Sequence, residues 1–211
     1  MKRQELIIKV CGMREGANIR EVESLGIDWL GFIFWPKSSR YVSMCPDYLP
    51  RNAKRAGVFV DEHLDSVKKR ADDYALNLVQ LHGSESPDYI RTLKNPSSCT
   101  PLTFSIIKAF NIATKDDLEQ AKAYEGLVDY FLFDTKGASV GGNGVQFDWD
   151  LLADYHGQTP FLLSGGIGPD DAHRIQAFHH PQCIGIDLNS RFELSPGFKD
   201  INKLKTFIQA L

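Results

Sequence analysis

The constraint that dominates this chain is a rhythm: a short apolar run, then a longer amphipathic one, eight times over. Strand-like runs fall at Leu6 to Val10, Trp29 to Phe34, Ala56 to Val60, Leu78 to Leu81, Phe104 to Lys108, Tyr130 to Phe133, Phe161 to Leu163 and Cys183 to Ile186. Helix-like stretches follow them near Gly16 to Leu25, Pro46 to Asn52, Leu64 to Tyr74, Pro87 to Leu93, Lys115 to Tyr124, Phe147 to Tyr155, Pro169 to Phe178 and Phe198 to Leu211. Strands apolar at every position need both faces covered, and a helix between successive strands makes them parallel through right-handed crossovers. Eight such units in 211 residues predict an α/β fold, a single-domain (β/α)8 TIM barrel over residues 1–211, near the lower size of that architecture. A doubly wound open sheet is the competing arrangement. It would carry a dominant phosphate loop after the first strand, and Cys11-Gly12-Met13-Arg14 is not such a loop.

Local signals support several boundaries. Ser86 before Pro87, and Gly168 before Pro169-Asp170-Asp171, place proline and acids in a first turn, where no N–H is lost and the helix dipole favours negative charge. Asn95 to Thr103, rich in proline and serine, reads as a surface loop. The stretch from Tyr130 to Trp149 carries the most chemistry. Its apolar strand ends in the carboxylate of Asp134, then come Gly141, Gly142 and Gly144, whose backbone N–H groups can ring an anion.

Composition narrows the class. A net charge of -3 with scattered Lys and Arg gives no basic stripe, so neither nucleic acid nor a membrane surface is an expected partner. There is no membrane-length apolar run and no leader before the first strand, which predicts a cytoplasmic protein, acting as a monomer or homodimer. Cys11, Cys45, Cys99 and Cys183 form no C-x-x-C pair and read as reduced thiols. His179, His180 and Cys183 straddle a helix end and a strand start, where side chains diverge, so no metal is expected there.

Residues two apart on a strand share a face. Taking the polar member of each strand as inward gathers Lys9, Cys11, Gln80, His82, Lys108, Asp134, Ser164 and Asp187 inside the barrel. Val10, Val79, Leu81, Phe131, Phe133 and Ile186 are then left to pack under helices. Cys11, His82, Asp134 and Asp187 emerge at one rim, where catalytic residues of this fold sit. Each has a plainer role: Cys11 as a small buried hydrophobe, His82 as a cap on the loop before Gly83. Lys9 and Lys108 are read as charges neutralised by Asp134 or Asp187 rather than as Schiff-base formers. A thiol and two carboxylates among two ammonium groups should lower the thiol pKa and split those of the carboxylates. The loops Leu163 to Pro169 and Gly185 to Ser190 follow the seventh and eighth strands, where this fold commonly holds a phosphate, so the expected partner is a small phosphorylated molecule. Arg40, in the second loop, suits a carboxylate; an exposed basic loop is the plainer reading.

Eight segments in order carry a resemblance: K-V-C-G-M at Lys9, G-F-I-F-W-P-K-S-S-R-Y at Gly31, G-V-F-V at Gly57, V-Q-L-H-G at Val79, F-D-T-K-G at Phe133, G-G-N-G-V-Q-F-D-W at Gly141, L-S-G-G-I at Leu163 and P-G-F-K-D at Pro196. Together they resemble the phosphoribosylanthranilate isomerase family of tryptophan biosynthesis. The resemblance implies a cofactor-free Amadori rearrangement of N-(5-phosphoribosyl)anthranilate to 1-(2-carboxyphenylamino)-1-deoxyribulose 5-phosphate. It implies Asp134 as general acid at the furanose ring oxygen and Cys11 as general base at C2′. Arg40 is then expected at the anthranilate carboxylate, Asp187 near the substrate amine with His82 also in the substrate site, and Gly142, Gly144, Gly165 and Gly166 at the phosphate.

One segment departs from the pattern. After Asp187 the family usually reads a small residue and then Ser-Ser-Gly, whereas Leu188-Asn189-Ser190-Arg191 stands here. Either Arg191 adds charge at the phosphate, or it turns to solvent while Asn189 and Ser190 keep the hydrogen bonds. Other readings are a different phosphosugar barrel, a hydrolase with a metal on Cys11, His82 and Asp134, and a phosphate-ligand receptor without turnover.

Overall fold

The computed structural model describes residues 6–95, 104–135 and 149–211. Eight parallel strands close into a barrel: β1 (Ile7–Val10), β2 (Trp29–Ile33), β3 (Lys54–Phe59), β4 (Leu78–Leu81), β5 (Ser105–Ile112), β6 (Tyr130–Thr135), β7 (Phe161–Ser164) and β8 (Cys183–Leu188). Closure is made by β1, which pairs with β2 on one side and with β8 on the other, Lys9 lying opposite Asp187 in the β8 register. In an open sheet of the same strand order β1 and β8 would each keep one unpaired edge. The helices are α1 (Gly16–Glu23), α2 (Leu64–Asp73), α3 (Pro87–Lys94), α4 (Lys115–Glu119), α5 (Ala172–Ala177) and α6 (Ile201–Ala210). No helix among the described residues is long and apolar enough to cross a membrane.

Two apolar layers result from strand alternation. Trp29, Ala56, Leu78, Ile107, Ala109, Leu132 and Leu162 fill the lumen, while Val10, Val79, Leu81, Phe131, Phe133 and Ile186 join the larger core beneath the helices. Helix residues one turn apart, Val67 with Ala71 on α2, Ile90 with Leu93 on α3 and Leu204 with Phe207 on α6, close that outer core. Ser86 caps α3 by accepting from the Tyr89 N–H at 3.2 Å, with Pro87 in the first turn.

The structure departs from the sequence reading in four places. The chain over Pro46 to Asn52 forms no helix. Pro50 removes a donor, and the Glu23 carboxylate takes the N–H groups of Arg51, Asn52 and Ala53 at 2.7, 2.6 and 3.0 Å, so those groups are satisfied without a helical turn. The last helix begins at Ile201 rather than Phe198. Phe198–Lys199 forms β10, paired antiparallel with β9 (Glu193–Ser195), and the Asp200 side chain caps α6 through the Lys203 N–H. The stretch toward Tyr155 is described from Trp149 as a 3-10 helix, Trp149–Asp154; Gly141, Gly142, Gly144, Cys99 and the loop from Pro96 to Thr103 lie outside the described residues.

The fourth departure concerns Lys108. Ile107 and Ala109 occupy the lumen, so Lys108 points into the helix layer, where its Nζ lies 2.9 Å from Glu85 Oε2 and donates to the Gly83 carbonyl at 2.7 Å. Neither Asp134 nor Asp187 neutralises it. The polar member of a strand faces inward only if the outer layer offers it no partner, and Glu85 supplies one, also accepting from Asp61 and Gly83 N–H groups.

Candidate active site

The C-terminal ends of the strands surround a pocket of about 190 Å³ lined by Cys11, Ile33, Val58, Gln80, His82, Asp134, Ser164, Gly165, Gly166, Ile167, Asp187, Asn189 and Ser190. Every inward polar residue expected at the rim is therefore there. Asp134 is the last inward position of β6 before Thr135, opposite Asn111 of β5 and Ser164 of β7.

Cys11 is fixed by its neighbours. Its N–H donates to the Leu188 carbonyl at 2.8 Å, and the next two N–H groups, of Gly12 and Met13, converge on the Gly31 carbonyl at 3.0 and 2.9 Å. A Cβ on Gly31 would stand 2.7 Å from Cys11 Sγ, so glycine at that position is what makes room for the thiol. Beneath it, Lys9 Nζ lies 2.8 Å from Asp187 Oδ1, and Ser164 Oγ donates to Asp187 Oδ2 at 3.4 Å. Burial disfavours the charged form of Lys9, but the Asp187 carboxylate and the Cys11 sulfur together outweigh it and hold the ammonium above its ordinary pKa. The thiol behaves otherwise. Burial pushes Cys11 up, and Lys9 pulls it down without reversing the direction, so the expected lowering of this thiol does not hold.

On the opposite wall Gln80 Nε2 and His82 Nδ1 are 3.0 Å apart, and His82 Nε2 stands 3.6 Å from Asp134 Oδ2. With the Gln80 amide donating, Nδ1 accepts and the ring proton sits on Nε2, facing the carboxylate. Gln80 Oε1 is buried without a hydrogen-bond partner among the described residues, an acceptor left at the pocket wall. His82 thus orients toward Asp134 rather than capping the loop.

At the far end Gly165 and Gly166 have φ of 96° and 65°, the left-handed region open to glycine, so this turn can present successive N–H groups to an anion. Asn189 directs Oδ1 to Lys199 Nζ at 2.9 Å, which leaves its Nδ2 as the donor for a ligand, and Ser190 opens a 3-10 turn, Ser190–Phe192. Arg191 is exposed and does not line the pocket; its stem lies 3.9 Å from where a Gly168 Cβ would be. Arg40 is also outside the pocket lining. Its guanidinium is bound by Glu193, a residue the sequence reading passed over, as it passed over Lys199 inside the P-G-F-K-D segment. Arg40 and Lys199 were legible only as members of separate motifs and Glu193 as a member of none, since neither spacing nor period links position 40 to position 193.

His179 and His180 are not part of this site: His180 uses Nε2 on the Tyr155 carbonyl at 3.0 Å and Nδ1 on the Gln182 N–H at 3.1 Å. Among the described residues, no group of three or more His, Cys, Asp or Glu side chains is placed to hold a metal ion.

Comparison with known proteins bears on this geometry. A sequence model described as N-(5'phosphoribosyl)anthranilate (PRA) isomerase matches residues 8–210. The N-(5'-phosphoribosyl)anthranilate isomerase of Parabacteroides distasonis is 52% identical over 98% of this chain and 93% of its own length. The crystal structure of phosphoribosyl anthranilate isomerase from Thermotoga maritima superposes with a TM-score of 0.81 at 32% identity, covering 97% of this chain and 98% of its own. A second isomerase structure, in complex with reduced 1-(o-carboxyphenylamino)-1-deoxyribulose 5-phosphate, gives a TM-score of 0.80 at 29% identity and 97% coverage of both chains.

Proposed function

Because the chain belongs to the N-(5'-phosphoribosyl)anthranilate isomerase family, we propose that its barrel mouth carries out that isomerisation, within tryptophan biosynthesis, by acid–base catalysis with Asp134 as acid and Cys11 as base. The observation behind this reading is that a thiol and a carboxyl line one pocket from β1 and β6, with a glycine turn suited to phosphate at its end.

The steps balance within substrate and side chains. Asp134 gives a proton to the furanose ring oxygen as the C1′–O bond breaks, and the amine lone pair closes a C1′=N iminium. Cys11 then takes the C2′ proton, and the electrons of that C–H bond form C1′=C2′ while the iminium electrons return to nitrogen. The resulting enol gives up its hydroxyl proton, C1′ gains one, and the product is the ketose. The iminium matters for the base. Only the thiolate can take the C2′ proton, so Cys11 enters the step deprotonated; burial opposes that form, Lys9 favours it, and the iminium charge formed beside it stabilises it until the proton arrives.

The other side chains are assigned by what they can donate or accept. His82, with Nε2 facing Asp134 Oδ2, orients that carboxyl group, which regains its proton from the enol hydroxyl while Cys11 returns its proton to C1′. The Asp187 carboxylate, charged and held by Lys9, faces the substrate amine. Gly165, Gly166, the Asn189 Nδ2 and the Ser190 N–H receive the phosphate, with Gly142 and Gly144 joining from outside the described residues. Arg40 takes the carboxylate. No cofactor enters this scheme.

The test is loss of anthranilate-type fluorescence when protein is added to freshly generated phosphoribosylanthranilate. The native chain is expected to remove the signal, whereas Asp134→Asn and Cys11→Ala each lower kcat by about 10²- to 10⁴-fold while still binding a reduced product analogue. A native protein that binds the analogue and never turns over substrate would overturn the reading.

A further inference from the structure

Arg40 is held on one edge and open on the other. Its Nε lies 2.9 and 3.0 Å from the two carboxylate oxygens of Glu193, and its Nη2 is 2.6 Å from Oε2. Glu193 is braced from behind by Lys199 Nζ at 2.7 Å from Oε1 and by the Gly197 N–H at 3.2 Å. Lys199 is fully buried and anchored in turn: its N–H donates to Asn18 Oδ1 at 2.7 Å, and its carbonyl accepts from Asn18 Nδ2 at 3.0 Å. A rigid path therefore runs from α1 through the β9–β10 hairpin to the guanidinium.

The other side of Arg40 lies over the end of β1. A Cβ on Gly12 would meet Arg40 Cδ at 2.7 Å, so the stem crosses the residue next to Cys11. A guanidinium has five N–H donors. Glu193 occupies the Nε side, and among the described residues the Nη1 side meets only Ser39 Oγ, at 3.4 Å. The Nη1/Nη2 edge that remains is the one that receives a carboxylate in two parallel bonds. Charge points the same way. Two cations, Arg40 and Lys199, share one anion, Glu193, and neither forms an ion pair with another carboxylate among the described residues. One positive charge is left unmatched beside the mouth. A bridge whose purpose was only to tie the hairpin down would be complete with one cation.

We propose that Glu193, braced by Lys199, is a positioning residue that presents the open edge of Arg40 to the carboxylate on the substrate's aromatic ring. This rests on the reading of Arg40 as the carboxylate's partner. A free arginine must surrender rotamer freedom when ligand arrives, whereas one already clamped does not. The surrounding ions keep the clamp charged, since Arg40 and Lys199 hold the Glu193 carboxyl below its ordinary pKa against the opposing effect of burial.

The experiment measures kcat and KM separately for Glu193→Gln, Glu193→Asp, Arg40→Met and the Glu193→Gln/Arg40→Met double variant. It also measures binding of the reduced product analogue and of its counterpart lacking the ring carboxylate. Glu193→Gln is expected to raise KM about tenfold with kcat changed by no more than about threefold, and Glu193→Asp to recover part of the loss. In the Arg40→Met background Glu193→Gln should add nothing, because the residue it positions is gone. Glu193→Gln should weaken the analogue and leave the carboxylate-free counterpart unchanged. If Arg40→Met leaves KM unaltered, the reading of Arg40 fails and the proposal with it. If Arg40→Met raises KM but Glu193→Gln does not, or weakens both analogues alike, Arg40 keeps its role and the positioning role of Glu193 is overturned. Should Glu193→Gln not fold, Glu193→Asp carries the same comparison: a selective loss for the carboxylate-bearing analogue supports the proposal, and equal loss for both overturns it.

Discussion

Lys9 Nζ and Asp187 Oδ1 are 2.8 Å apart on register-paired strands, with the ammonium wholly buried and the carboxylate 7% exposed. Removing one partner leaves the other as an uncompensated charge in the barrel, which costs about 3–5 kcal/mol, whereas removing both in favour of apolar side chains is often neutral. Lys9→Met is therefore expected to lose about 3–5 kcal/mol of stability, and Lys9→Met/Asp187→Leu to regain most of it. Urea unfolding of the three proteins decides the matter. A double variant as unstable as the single one would mean that the strand ends need the ions for packing rather than for charge balance.

Cys11 sets the pH dependence. A base works deprotonated, so the step that needs it speeds up as pH rises through the thiol pKa and fails as pH falls below it. Burial pushes this thiol up, so in the free enzyme the limb should lie above the ordinary thiol value of about 8.5. The rate of Cys11 alkylation by iodoacetamide against pH is expected to rise over the same range as kcat/KM, and Lys9→Met to move both higher, since it removes the ammonium that opposes the burial effect. An alkylation midpoint below the ordinary value would contradict the argument.

The barrel was legible because alternation of strand and helix is written in local composition, and the rim was legible because strand period places Cys11, His82, Asp134 and Asp187 on one face. What stayed hidden was pairing between distant segments. Lys108 obeys the same period as Lys9, yet it faces outward because Glu85, in a different loop, gives it a partner there. Glu193 and Lys199 sit in a hairpin whose second strand, Phe198–Lys199, sequence period reads as the start of a helix, and their meaning comes from Arg40, which lies far from both in the chain. The Cys11 thiol was misjudged for a related reason: counting nearby cations omits the burial that dominates it.

Arg191 replaces the glycine expected after the eighth strand, and it is exposed at the edge of the loop rather than in the pocket wall. An exposed charge contributes about 1 kcal/mol or less. Arg191→Ala should therefore leave KM within about fivefold of native. Gly166→Val, at a φ of 65°, should raise it about tenfold by disturbing the turn that receives the phosphate. Steady-state kinetics of both variants with inorganic phosphate as competitor separates the contributions; a large effect of Arg191→Ala on KM and on phosphate inhibition would place the arginine at the ligand.

Gly31 gives the strictest test of the thiol's placement. It belongs to β2 and contributes nothing chemical, but a Cβ there would lie 2.7 Å from Cys11 Sγ and 3.1 Å from Cys11 Cα. The sulfur can rotate, whereas the Cα is part of a backbone pinned by N–H bonds from Cys11 to Leu188 and from Gly12 and Met13 to Gly31 itself. Alanine must then displace the end of β1, and the neighbouring lumen, already filled by Trp29 and Ala56, offers no room to yield in the other direction. Gly31→Ala is expected to cost about 1–3 kcal/mol of stability, as overpacking does, and to lower kcat by about 10²-fold, because a shift near 1 Å takes the base out of reach of C2′. Circular dichroism and thermal melting establish that the variant is folded before kcat is read. A folded Gly31→Ala with native kcat would mean that the thiol's position is not what limits proton removal, and the role of Cys11 as base would have to be given up.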